Sequence, residues 1–268
     1  MTVQLWVRVH REVKIPKKPQ AAATPQLLRR VNAQAVLAAV RGTEVATGTE
    51  LMAKTGLTRA SVIAVCEDLI RRGWIQELDA PRKDASAAGS PQKGRPARRF
   101  ELRARAGVVL GIDIGAATTT TAVADLRGKV LGSASGSFRA ADIPAAERVS
   151  VVDHACREAL ESAGEAPGKV LAVGAGIAAP VDRGGKVLAA QHFWSLFDVG
   201  LRSALRDLHG WTVLLENDAN LAALGERWRG SGAGVDDLVV LLAGERLGAG
   251  VLESGRLLHG RGGGAGEM

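Results

Sequence analysis

A stretch rich in Pro, Gly, Ser and charge, residues 79–99 (DAPRKDASAAGSPQKGRPARR), reads as a linker or flexible wing between two differently patterned parts of this sequence. Before it the apolar pattern is helical; after it β-like and helix-like runs alternate. The charge divides at nearly the same place. Residues 1–105 hold 20 Lys and Arg against 9 Asp and Glu, a net +11. Residues 106–268 hold 15 against 19, a net −4. A basic module followed by a mildly acidic one points to polyanion binding by the first. Solvated basic leaders and linkers explain the same charge without a partner.

Some classes are excluded at once. Aromatic residues make up 3% and tyrosine is absent, which leaves few platforms for stacking single-stranded nucleic acid. Cys66 and Cys156 stand far apart, so neither a disulfide scaffold nor a local CxxC zinc site is expected. No apolar run reaches the roughly 18 residues of a membrane span. The N-terminus (MTVQLWVRVHREVKIPKKPQ) lacks the pattern of a signal peptide, so a cytoplasmic location is the expectation.

The first part is expected to comprise a basic disordered leader, 1–24, and a winged helix-turn-helix, 25–105, with 79–99 as wing or linker. Pro25 opens a helix bearing Leu27, Leu28, Val31, Ala35, Leu37 and Ala38, and Gly42 ends it. Thr49 is expected to cap a short second helix closed by Gly56. Thr58 caps a third, running to about Arg72, whose Val62, Val65, Cys66 and Leu69 form the inward face. Thr58, Arg59 and Ser61 are left on its exposed first turn, where helix-turn-helix proteins meet phosphates and base edges. Lys93 and Arg95, in KGRP, are placed to enter a minor groove from the wing. A helical hairpin for protein contacts is the competing reading.

The second part, 106–268, reads as α/β. Val108–Ile114 and Thr119–Ala124 form an expected hairpin. Asp113 ends its first strand beside Gly115, an arrangement that can hold a metal–phosphate group, although Asp-Gly hairpins are common. Asn217 and Asp218 fall where a strand, Thr212–Leu215, runs towards a helix, Ala219–Gly230. Carboxyl ends of strands are where α/β proteins bind ligands, and an adjacent amide and carboxylate suit neighbouring sugar hydroxyls. A helix-capping Asp218 accounts for one residue of the pair. The Gly-rich run 248–266 permits close backbone approach to a ligand, or plain hairpin turns.

The motifs LRRVNAQAVLAAV, ELMAKTGLTRASV, KGRPARRFEL, GIDIGAATTTTAVADLRGKVL, ENDANLAALGE and LGAGVLESGRLLHGRGGGAGE occur in this order. In them the chain resembles the ROK family of repressors and sugar kinases. The resemblance implies an actin/hexokinase-like ATPase-type domain, its second lobe incomplete within these residues. It further implies a sugar or sugar-phosphate effector and binding of double-stranded operator DNA as a homodimer. The helix-turn-helix marks the repressor branch, and so a regulator of carbohydrate-utilisation genes. Asp218 matches the base of the family kinases, and Glu267 a sugar-binding glutamate. As penultimate residue, Glu267 is expected on a fraying end. A family sugar-contacting asparagine falls near Gln191-His192-Phe193-Trp194. Kinases of the family carry Asp-Ile-Gly-Gly-Thr in the first phosphate loop, whereas here Asp113 and Gly115 are followed by Ala116 and Ala117. The degenerate loop implies no kinase activity and no catalytic residue. The family zinc motif would lie beyond Met268, so no metal or other cofactor is expected. Two further readings stand beside the regulator: a sugar kinase with a fused DNA-binding domain, and a fragment that binds DNA without a sugar response.

Overall fold

The computed structural model describes residues 24–79, 97–140, 142–244 and 246–268. The chain forms two compact units, one built from residues up to Arg72 with Glu77–Glu101, the other from Gly73–Gln76 with Leu102–Met268. The expected leader and the wing residues Lys93 and Arg95 lie outside the described residues.

The first unit is built on helices α1 (Pro25–Arg41), α2 (Gly48–Thr55) and α3 (Arg59–Arg71). Strands β1 (Ala46–Thr47), β2 (Ile75–Leu78) and β3 (Arg99–Leu102) form a sheet in the order β1-β3-β2. Local chemistry sets each helix end. Thr24 Oγ1 accepts from Leu27 N at 3.3 Å, with Pro25 at the first position. The cap of α2 is Thr47, not the expected Thr49: Glu50 N donates to Thr47 Oγ1, and Thr47 N donates to the Glu50 carboxylate at 2.7 Å. This reciprocal capping box needs Glu at the third helical position, and only Thr47 has it. Gly56 closes α2 at φ 69°, in the left-handed region that favours glycine.

Val36, Val40, Leu51, Val62, Cys66, Leu69 and Phe100 are buried. Each large apolar side chain among them stabilises the fold by about 1.5–3 kcal/mol. The apolar stripe expected along α1 is buried only in its second half, because Leu27, Leu28 and Val31 are each half exposed. Arg98 fastens β3 to α3 and β2, with two 2.8 Å bonds to Glu77 and one of 3.1 Å to Glu67.

The second unit carries a five-stranded sheet of order β6-β5-β4-β7-β8. Its strands are β4 (Val108–Ile114), β5 (Thr118–Asp125), β6 (Val130–Ser137), β7 (Val170–Ile177) and β8 (Val213–Asn217). The β4–β5 and β5–β6 pairs are antiparallel, while β4–β7 and β7–β8 are parallel. Helix α4 (Ala145–Ala163) covers one face. The 3-10 turn Pro167–Lys169 follows, then α5 (His192–Ser195), α6 (Leu201–His209) and α7 (Asp218–Arg229). A second sheet, β11-β10-β9, closes the chain with β9 (Leu238–Ala243), β10 (Leu247–Glu253) and β11 (Arg256–Leu257). Ser254 and Gly255, both at positive φ, make the tight turn between the last two strands.

Val108, Leu110, Ile112 and Ile114 alternate onto the buried face of β4 and share one core with Val152, Cys156, Ala159 and Leu160 of α4, which packs on β6 and β5. The same alternation turns Gly111 and Asp113 to the opposite face. Strand β6 lacks an apolar alternation of its own. It pairs through its backbone and lets α4 approach closely over Gly132 and Gly136. Both cysteines are buried, and burial pushes each thiol up to about 11, so neither is a reactive thiolate at neutral pH. Among the described residues no helix is long and apolar enough to cross a membrane.

Candidate functional site

In the first unit, the end of α2, the turn at Gly56 and the start of α3 form a helix-turn-helix arrangement. Thr58 and Arg59 are exposed at the start of α3, and Ser61 is partly so. Thr58 Oγ1 caps the helix by accepting from Ser61 N at 3.3 Å, and lies 3.0 Å from Ser61 Oγ. Arg59 is thus the charged group on a turn whose backbone N–H groups already favour an anion.

In the second unit, a cavity of about 410 Å³ is lined by Gln191, Trp194, Asn217, Asp218, Arg246 and Glu267, among others. Each wall has a local cause. Asn217 ends β8 and is itself the cap of α7, its Oδ1 accepting from Asn220 N at 3.1 Å. The expected alternative, a capping Asp218, is therefore displaced by one residue. Asp218, released from capping, points its carboxylate towards the cavity while accepting from Ala219 N at 2.8 Å. Asn217 Nδ2 lies 3.4 Å from both Ala179 O and Glu267 Oε1, so the amide orients the glutamate.

Glu267 is not on a fraying end. Ala249 N donates to Gly266 O at 2.9 Å, and Glu267 bridges to Gly248. Behind this wall, Glu216 accepts from Asn217 N and Asn220 Nδ2, both at 2.9 Å, and pairs with His259 Nε2 at 2.7 Å.

The two carboxyls that line the cavity, Asp218 and Glu267, are both raised above their ordinary range. Burial raises the carboxyl of Asp218 above its ordinary range, and the charge of Asp113 raises it further. Glu267 is raised by burial and by Asp218, and drawn part of the way back by Arg246. Asp113 is raised by partial burial. A ligand that supplies O–H donors relieves these costs, which fits a polyol.

A stability prediction follows for Asp218. Its raised folded-state value means that its contribution is fully present below the unfolded value and lost as pH rises through the folded one. Asp218→Asn is therefore expected to melt at a higher temperature than the parent near pH 8, the gap closing towards pH ~4. Calorimetry across that range checks it, and an Asn variant less stable throughout would contradict it.

The loop Gly115–Ala117 turns its carbonyls into the protein. Ala117 O accepts from Phe138 N at 2.8 Å, while Gly115 O and Ala116 O accept from Arg148 at 3.2 and 3.3 Å. Arg148 is 1% exposed and its guanidinium lies 4.0 Å from the Phe138 ring centroid. Burial lowers its pKa. The sequence gives no sign of this clamp, since a charged residue on a helix ordinarily faces solvent.

Arg246 also escaped the sequence reading. Its only signal there is position, a cation between the apolar run 238–243 and the Gly-rich strand that follows. The segment 191–194 does reach the cavity, through Gln191 and Trp194. Among the described residues no group of three or more His, Cys, Asp or Glu could hold a metal ion.

A three-plus-two mixed sheet with a carboxylate at the end of its first strand, followed by a strand-to-helix Asn-Asp pair, defines an actin-like, hexokinase-type domain. It is joined here to a helix-turn-helix unit. The chain belongs to the ROK family, whose model matches residues 109–268.

A xylose repressor of Caldicellulosiruptor bescii is 25% identical over 244 residues, which cover 90% of this chain and 58% of that protein. A glucokinase of Thermotoga maritima is 32% identical over 163 residues, 60% of this chain and 49% of that one. Among solved structures, a ROK family transcriptional regulator, a homologue of the E. coli Mlc protein, superposes with a TM-score of 0.71 over 90% of this chain and 58% of its own, at 23% identity. A ROK family glucokinase from Streptomyces griseus, in complex with glucose and AMPPNP, gives 0.53 over 60% of this chain and 49% of its own, at 31% identity. The chain thus spans less than two thirds of the length of these relatives.

Proposed function

We propose that this protein is a sugar-responsive transcriptional regulator, a repressor of carbohydrate-utilisation genes that binds duplex DNA as a homodimer in the cytoplasm. The observation that carries the reading is the coexistence of two features. One is the exposed, N-capped first turn of the third helix, with Thr58, Arg59 and Ser61, in a stretch of net positive charge. The other is a separate cavity in which Asn217, Asp218 and Glu267 converge. Lys93 and Arg95, which lie outside the described residues, supply further cations for DNA contacts in this reading. Likeness over 90% of the chain to a xylose repressor and to a ROK regulator supports it. In this reading Asp218 and Glu267 accept hydrogen bonds from sugar hydroxyls, and Asn217 orients Glu267.

A gel-shift titration with genomic fragments, followed by sugar, tests this. Asp218→Ala is expected to leave DNA affinity unchanged. It should raise the sugar concentration needed for half release by about 10–100-fold, because the hydroxyls then lose a buried acceptor. Release by sugar at unchanged concentrations in the variant would remove Asp218 from the site.

A second reading has an observation in its favour: glucokinases are among the relatives, and Asp218, which lines the cavity, is the residue that would act as a base on a sugar hydroxyl. Against it, Ala117 offers no hydroxyl to a phosphate and Ala116 adds a methyl group to the loop. Sugar-dependent ADP release that Asp218→Asn abolishes would establish the kinase in place of the regulator without catalysis.

A further inference from the structure

The cavity that collects Asn217, Asp218 and Glu267 has one basic wall. Arg246 stands in the turn between β9 and β10, which is closed by Gly244 N donating to Arg246 O at 3.0 Å. Its guanidinium lies over the ring of Phe193, 3.8 Å from the centroid, while the neighbouring Trp194 lines the cavity. Stacking on the aromatic face fixes the plane of the guanidinium.

Other arginines of this unit are spent on carboxylates. Arg139 holds Glu147, Arg157 holds Asp153 and Arg227 holds Asp236, at 2.7, 3.0 and 2.6 Å. Arg246 shares its cavity with Asp218 and Glu267 yet forms no ion pair with either. Among the described residues no acceptor takes its N–H groups. A planar fork of donors, oriented by a ring and facing a cavity, matches the geometry of a carboxylate or a phosphate ester. Asp218 and Glu267, which line the same cavity, offer acceptors that suit hydroxyls. A neutral sugar satisfies only these acceptors.

We propose that Arg246 makes this pocket selective for an anionic monosaccharide, a sugar bearing one phosphate or carboxylate, with the anion on the guanidinium and the hydroxyls on Asp218 and Glu267. This rests on the reading of the cavity as the effector site. It adds the residue that selects a charged over a neutral sugar.

Calorimetry with the full chain tests it, using a panel of hexoses and pentoses, each alongside its phosphate ester and its sugar acid, with inorganic phosphate as a further probe. At low salt one anionic derivative is expected to bind at least about 10-fold more tightly than its neutral parent. The phosphate and acid arms show which anion is preferred. Arg246→Gln should erase that preference and leave the neutral parent within about 2-fold, whereas Arg246→Lys should keep part of it. Arg246 is exposed, so circular dichroism should show both variants folded.

Equal binding of neutral and anionic sugars would overturn the inference while leaving the effector site in place. An Arg246→Gln variant that weakens all sugars alike, or inorganic phosphate binding as tightly as the sugar phosphate, would overturn it in the same way. Absence of binding by any sugar to the folded chain would remove the effector site itself, and the inference with it.

Discussion

Raising salt from about 50 to 200 mM is expected to weaken the binding of duplex DNA to this protein about 1,000-fold, because each phosphate neutralised by Lys or Arg releases condensed counterions. The expectation rests on a net +11 over residues 1–105 and on the exposed start of α3. Arg59→Ala should cost about 1–3 kcal/mol if the side chain reads a base, and the loss should then be larger on the preferred fragment than on random DNA. If Arg59 meets phosphate alone, the loss should be uniform and the salt slope should fall by about one. Few other side chains on α3 could read bases. Ile63 and Ala64, on the next turn, are apolar, so under the proposed function sequence discrimination would depend on Arg59 and on Lys93 and Arg95, which lie outside the described residues. Fluorescence anisotropy on labelled duplexes, at several salt concentrations, separates these outcomes. Binding that ignores salt would exclude a DNA-contacting role for the basic module.

Gly132→Val is expected to prevent the second unit from folding. A Cβ at Gly132 would stand 2.5 Å from Ala163 N and 2.8 Å from Ala159 O, both backbone atoms of α4. No side-chain rotation relieves that clash. The helix must lift from β6 and β5, and the packing of Val152, Cys156, Ala159 and Leu160 in the shared core loosens with it. The cost should exceed about 4 kcal/mol, a large part of the roughly 5–15 kcal/mol that holds an ordinary domain. Gly174→Ala, in β7, is the control: nothing lies within 4 Å of its would-be Cβ, so the change should stay within about 1 kcal/mol. Urea unfolding of both variants, followed by far-ultraviolet circular dichroism, measures the difference. A stable, cooperative Gly132→Val protein would show that α4 does not pack on β6 as described.

The sequence by itself determined most of the element order. The helix start at Pro25, the cap at Thr58, the glycines at 42 and 56, and the strand at Val108–Ile114 are local signals, each readable within a few residues. The family motifs single out Asn217, Asp218 and Glu267, which line one cavity in the fold. Local reading failed where signals compete within one turn. Thr47 and Thr49 are both good caps, and the choice falls to the residue with a glutamate three positions later. Leu27, Leu28 and Val31 read as core by periodicity, yet helical spacing cannot say how far along α1 the neighbouring helices reach.

Only the tertiary structure decided which side chains share a cavity. Arg246 lies 28 residues from Asp218 in sequence. It reaches the same cavity because the β9–β10 turn carries it to the carboxyl end of β8. Arg148 looked like a solvated helix charge until α4 was seen to place it beneath Gly115 and Ala116. The physical reason is common to both. A guanidinium's role is set by the acceptors and rings that surround it, and the sheet brings those from strands and loops far apart along the chain.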